Sequence, residues 1–132
     1  MKPLAGIRIL TLESFGAAPY GTMALADLGA EVIKIENPTS GGDVSRSVGP
    51  NLLGAGDSQY FQSFNLGKQS VALDLSKKAD CGSFHALVAI SDAVVNNLRG
   101  DLPAKLGVDY ASLRGINPAI VCLHISAYGR AS

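Results

Sequence analysis

The stretch IRILTLESFGAAPYGTMALADLGAEVIKIE, residues 7–36, decides the fold. IRILTL (7–12) is a short run of aliphatic and β-branched residues between Gly6 and the FGAAP turn, and it reads as a strand. Pro19 suits the first turn of a helix, where its missing N–H costs nothing. The apolar residues after it carry that helix to Leu28, with Gly29 as the expected C-cap. EVIKIE (31–36) is a second strand. Strand, about ten residues of helix, then strand is the βαβ unit. Its crossover is right-handed in nearly all known cases.

The same alternation continues along the chain. SVALDL (70–75), DAVVNN (92–97) and AIVCLHIS (119–126) are three further strands. Between them, Lys77 to Ser91 places Cys81, Phe84, Leu87 and Val88 on one helical face, and DYASLRGIN (109–117) is a short helix. The strands read as continuous apolar runs, which is what burial on both faces of a parallel sheet requires. The expected fold is therefore an open, doubly wound, Rossmann-like α/β sheet. A chain of 132 residues suits one compact domain. Residues 37–58, rich in turn formers and without a period, form a connection long enough to suggest a functional or mobile loop.

Eleven basic residues balance eleven acidic ones, so no global field draws the chain to nucleic acid or an anionic membrane. No stretch approaches the roughly 20 apolar residues of a membrane span. Arg8 and Glu13 interrupt the apolar N-terminus, so no signal-peptide core is expected. Cys81 and Cys122 form neither a metal pattern nor a disulfide scaffold and read as small hydrophobes in a reducing cytoplasm.

Ligands of an open α/β sheet bind beyond the carboxyl ends of its strands. Four places qualify: Glu13 to Ala18, Asn37, Asp74 to Ser76, and NNLR (96–99). The first turn lacks G-x-G-x-x-G spacing, so a dinucleotide fingerprint is absent although Glu36 follows at a suitable distance. Gly16 suits either a close backbone approach to a ligand or relief of a strained dihedral. Asn96, Asn97 and Arg99 offer donors at a strand end, with Lys105 one short turn beyond, a combination that suits phosphate oxygens or a solvated surface equally. His124 reads as a satisfied core histidine and His85 as a helix residue, and Ser14 lies outside any nucleophile elbow.

Several blocks taken together resemble the family III CoA-transferases, the group that includes formyl-CoA and carnitine CoA-transferases and α-methylacyl-CoA racemases. They are PLAGIRIL, APYGTMALADLGAEVIKIENP, GGDVSRSVGP, YFQSFNLGKQSVALDL, SDAVVNNLRG and KLGVDYASLRGINPAIVCLHISAYG, in the family's order and along the whole chain. The resemblance implies coenzyme A or an acyl-CoA as ligand and a small carboxylic acid as the second substrate. Family CoA contacts carry over onto Gly16, Ala17, Asn37, Leu73, Asp74, Leu75, Ser76, Asn97, Leu98, Arg99 and Lys105. Asn37 stands where many members have a basic residue or proline. NNLRGD replaces ENFRPG, changing the acid, the aromatic and the proline at Asn96, Leu98 and Gly100.

In such relatives an aspartate carboxylate attacks the acyl thioester, giving mixed anhydrides and an enzyme thioester in turn. That aspartate lies downstream of the position where HISAYGRAS ends, and no aspartate of this sequence falls in the matching place. The resemblance thus implies an N-terminal CoA-binding segment without a catalytic residue, inactive alone, from a protein that pairs as a homodimer. A racemase segment and a non-catalytic CoA-binding or partner-binding module remain open on the sequence.

Overall fold

In a computed structural model, which describes residues 1–129, the main sheet has five parallel strands. They are β1 (Arg8–Leu12), β2 (Glu31–Glu36), β5 (Gln69–Ala72), β6 (Ala93–Asn96) and β7 (Val121–His124), in the order β5-β2-β1-β6-β7. The end of HISAYGRAS, residues 130–132, lies outside the described residues. The chain winds outward from β1 to β2 and β5, then returns past β1 to β6 and β7. The strand order therefore reverses between β1 and β6, and the doubly wound expectation holds.

The first βαβ unit forms as its residues dictate. α1 (Ala17–Asp27) has Pro19 in its first turn and closes on Gly29, whose φ is +106°. The Gly29 N–H bonds Ala26 O at 2.9 Å and the Ala30 N–H bonds Leu25 O at 3.1 Å, the two bonds of a Schellman cap. A Cβ at Gly29 would lie 2.5 Å from Lys2 Cβ, so both the dihedral and the packing demand glycine.

The two faces of the sheet differ in chemistry. One face carries Leu10, Leu12, Ile33, Ile35 and Val94, closed by Phe84 and Val88 of α3 (Lys78–Ala89) and by Leu113 of α5 (Tyr110–Leu113). The opposite face carries Ile9, Val32 and Val95 under Leu25 and Ala26 of α1, and then turns polar. The alternation of EVIKIE puts Lys34 and Glu36 on this second side, with Ile33 and Ile35 on the first. Lys34 is buried all the same.

Several expectations need correction. Burial on both faces holds for β1, β2 and β6, but β5 and β7 are edge strands with mostly exposed residues. An edge strand lacks a neighbour on one side, and on β7 no helix among the described residues covers Val121 and Leu123, 63% and 50% exposed. The region 37–58 is not structureless. It holds 3-10 turns at Pro38–Ser40 and Val44–Ser47, and a hairpin of β3 (Leu52–Gly54) with β4 (Asp57–Ser58). α2 (Gln59–Asn65) follows, capped by Ser58 Oγ accepting the Phe61 N–H at 3.0 Å. The short helix expected over 109–117 covers Tyr110–Leu113 alone.

Candidate functional site

A cleft of about 410 Å³ opens across the carboxyl ends of β1, β2, β5 and β6. This is where an open α/β sheet places its ligand, beside the reversal of strand order. Its apolar wall is Ile35, Leu73, Leu75 and Leu98, with Leu102 and Leu106 from the segment around α4 (Leu102–Lys105). Its polar wall comes from the turn after β1 (Glu13, Ser14), the loop after β2 (Asn37, Thr39, Ser40, Asp43) and the turn after β5 (Asp74, Ser76). Among the described residues no lysine or arginine lines it.

Six of the eleven residues singled out from the sequence line this cleft: Asn37, Leu73, Asp74, Leu75, Ser76 and Leu98. Asn37 Oδ1 accepts the Thr39 N–H at 2.9 Å and also meets the Thr39 hydroxyl, which leaves the Nδ2 donors for a ligand. Asp74 Oδ1 accepts the Ser76 N–H and hydroxyl at 3.0 and 2.7 Å, so that turn is shaped by its own side chain. The other five stand apart from the cleft lining. Gly16 caps α1 with φ −124°, so it relieves no left-handed strain, and a Cβ there would meet the Tyr60 hydroxyl at 3.2 Å. Ala17 is exposed at the start of that helix. Asn97 is engaged with the protein, accepting the Ser14 N–H at 3.0 Å and donating to Ser14 O at 2.8 Å. Arg99 is exposed on the segment that carries the cleft residues Leu98 and Leu102. Lys105 is exposed too, in an i,i+4 pair with Asp101 at 2.7 Å, a kind of contact worth little in water. Of the histidines, His85 is exposed, and His124 is half-buried with Nδ1 2.8 Å from Asn96 Nδ2.

Behind the polar wall lies a buried ionic cluster absent from the sequence reading. Lys34 Nζ donates to Asp43 Oδ2 at 2.6 Å and to Asn65 Oδ1 at 3.1 Å. Lys68 Nζ donates to Glu13 Oε1 at 2.7 Å, Pro19 O at 2.9 Å and Asn65 Oδ1 at 3.2 Å. Glu13 also accepts the Thr22 hydroxyl, and its Oε1 stands 3.9 Å from Lys34 Nζ. Glu36 receives a two-pronged contact from Arg46, 2.8 and 2.7 Å, with the Asp43 N–H and the Ser70 hydroxyl beside it.

Burial alone would raise these carboxyl pKa values, but the donors overcome it. Arg46, the Asp43 N–H and Ser70 bring Glu36 down to about 2. Lys34 and Ser45 bring Asp43 down to about 2. Burial dominates at Lys68 and lowers its pKa, against the opposing pull of Glu13. Glu36 and Asp43 are thereby held as carboxylates, each engaged by several donors. A lysine at the centre of the EVIKIE strand was the available signal, since a charge in an otherwise apolar central strand needs a buried partner.

Comparison with known proteins agrees with the geometry. The family model of the CoA-transferase family III matches residues 4–132. The chain is 39% identical to a succinate–glutarate CoA-transferase of Agrobacterium fabrum, over 97% of this chain and 33% of the relative. It is 41% identical to a succinyl-CoA:mesaconate CoA-transferase of Haloarcula hispanica, over 98% of this chain and 33% of the relative. A CAIB/BAIF family protein from Brucella suis superposes with a TM-score of 0.87 at 34% identity, covering 99% of this chain and 35% of its own. The chain thus spans about a third of the length of the relatives it matches. The motif blocks, the parallel sheet with its cleft at the strand ends, and the family match converge: the chain belongs to the family III CoA-transferases.

Proposed function

We propose that this chain supplies the CoA-binding part of an enzyme that moves CoA between carboxylic acids, with succinyl-CoA or a related dicarboxylic thioester as donor. The observation that carries the reading is the cleft itself. Residues from the carboxyl ends of four strands converge there, and six of them are positions onto which the resemblance carries the family's CoA contacts. The leucine wall suits adenine or the pantetheine arm, and the Asn37 donors suit a ribose or phosphate oxygen. With no lysine or arginine in the lining among the described residues, the phosphates extend outward to Arg99 and Lys105. Lys105 can exchange its solvent-exposed pair with Asp101 for a phosphate at small cost. The donor class follows the names of the relatives, a succinate–glutarate CoA-transferase and a succinyl-CoA:mesaconate CoA-transferase. The two free thiols, Cys81 and Cys122, support a cytoplasmic setting. A homodimer is the assembly that the family resemblance implies for a protein of the relatives' length.

Calorimetric titration of the chain with CoA and with dephospho-CoA tests this. Saturable binding is expected, weakened roughly ten- to a hundred-fold by Arg99→Ala or by Lys105→Ala, the cost of one charge-assisted contact. A folded chain that gives no saturable heat with CoA overturns the reading. Unchanged affinity in both variants overturns the phosphate assignment.

A further inference from the structure

The turn after β1 is held from two sides by side chains distant in sequence. From the β6 side, Asn97 matches both backbone groups of Ser14, at 3.0 and 2.8 Å. From the loop after β2, Asp43 Oδ1 accepts the Ser14 hydroxyl at 3.0 Å and the Phe15 N–H at 3.2 Å. Among the described residues Phe15 is the one non-glycine with positive φ, +72°. A bulky aromatic residue does not adopt that conformation unless its surroundings impose it. The Phe15 ring does not impose it. The residue is 46% exposed, and the ring packs on Tyr60 at 5.4 Å between centroids. What holds the backbone is the polar grip, and Asp43 is the group that reaches the Phe15 N–H.

Asp43 is itself rigidly placed. Its carboxylate accepts Lys34 Nζ at 2.6 Å, the Ser45 N–H at 2.9 Å and the Ser45 hydroxyl at 2.7 Å, and its own N–H bonds Glu36 Oε2 at 2.9 Å. Gly42 before it is tied to the same arrangement, because a Cβ there would lie 2.5 Å from Glu36 Oε2. Thr39, Ser40, Gly42 and Asp43 form one wall of the cleft and Glu13 and Ser14 another, so Asp43 joins two walls that no shared helix or strand connects.

We propose that Asp43 is a positioning residue for ligand binding. It locks the loop after β2 to the turn after β1 and keeps Phe15 in the left-handed conformation, which sets how Glu13 and Ser14 line the cleft. The ligand side of this assignment rests on the reading of the cleft as a CoA site. Hydrogen bonds within the chain carry the lock itself.

The test uses Asp43→Asn alone and combined with Phe15→Gly. Glycine adopts positive φ without help, so it removes the need for the lock but does not restore the charge opposite Lys34. Asp43→Asn is expected to weaken CoA binding roughly tenfold or more, the scale of a lost charge-assisted contact. Adding Phe15→Gly is expected to return affinity to within about threefold of the parent while the melting temperature stays low. A purely structural role predicts that affinity and stability move together. Wild-type affinity in Asp43→Asn overturns the proposal, and so does a loss that glycine does not relieve. If the parent chain binds no CoA, amide hydrogen exchange decides the lock separately. Asp43→Asn should then speed exchange at Phe15 more than at the β1 amides, and equal acceleration overturns the lock.

Discussion

The two faces of the central sheet reach burial by opposite means. On the α3 side, Leu10, Ile33, Val94, Phe84 and Val88 are apolar and nearly inaccessible, and the buried Asn96 at the strand end is met by His124 and the Leu98 N–H without any charge. On the α2 side, Lys34, Asp43, Glu13 and Lys68 are equally enclosed, and each is held by an opposite charge. The first face is stabilised by area removed from water, without direction. The second trades desolvation cost for geometry and gains little net stability when intact, but it fixes the positions of the loops that supply its members. The cleft lies at the strand ends where both meet, with the leucines of one kind and the polar wall of the other. The apolar face supplies the platform, and the ionic face sets the shape of the cleft's polar wall.

The comparison breaks most visibly under single substitutions. Phe84→Ala should cost about 3–5 kcal/mol through lost burial and a cavity. Lys34→Met should cost a similar amount, about 3–5 kcal/mol, by leaving the Asp43 carboxylate enclosed without its countercharge. The two are told apart by pH. In Lys34→Met, protonation of Asp43 removes the unpaired charge, so the deficit relative to the parent should shrink below about pH 4, near the ordinary carboxyl range. The Phe84→Ala deficit should stay level. Urea denaturation at several pH values measures both, and a Lys34→Met deficit that is flat with pH would show that the buried pair carries no charge coupling.

A smaller effect sharpens the same point in the parent protein. Glu36 is lowered from 4.5 to about 2 and Asp43 from 3.8 to about 2 in the folded state. The unfolded chain therefore binds protons more readily across that interval. The stability from both groups is fully present above about pH 4.5 and is lost as pH falls through about 2. The denaturation midpoint should drop through this window, and Glu36→Gln should make the drop shallower. An unchanged slope in that variant would mean that Arg46 and Ser70 do not favour the ionised form.

The same contrast explains what the sequence discloses. Strand β2, helix α3 and the Gly29 cap are local statements, written in the period of EVIKIE, the spacing of Phe84 and Val88, and one glycine. The apolar face follows from such patterns. The ionic face joins residues 13, 34, 36, 43, 46, 65 and 68, and no spacing rule links a lysine in a strand to an aspartate in a glycine-rich loop. α2 is not legible in the sequence for a related reason: QYFQSFN has no long apolar period, and its helix depends on the Ser58 cap and on burying Phe61 and Asn65 against that cluster. Within the cleft, the strand-end positions Asn37 and Leu73 to Ser76 were legible because the α/β plan puts ligands there. The engagement of Asn97 with Ser14 was not, since both of its partners lie 83 residues away.

The smallest expected effect lies at the seam between the faces. Thr11 sits in β1 in register with Lys34 on one side and Val95 on the other, fully buried. Among the described residues its hydroxyl is the one enclosed side-chain polar atom without a hydrogen-bond partner. It alternates with Ile9, so it points to the ionic side, yet the lysines and carboxylates there are satisfied without it. An unsatisfied hydroxyl carries its desolvation cost with no return, and valine keeps the branched shape and the β preference while removing that cost. Thr11→Val should therefore leave the protein as stable as the parent or up to about 1 kcal/mol more stable, a rise of a few degrees in melting temperature for a chain of this size. If instead the variant loses more than about 1 kcal/mol, the hydroxyl has a partner in solution. The ionic face would then extend across β1 and would not be closed by the Lys34 and Lys68 pairs.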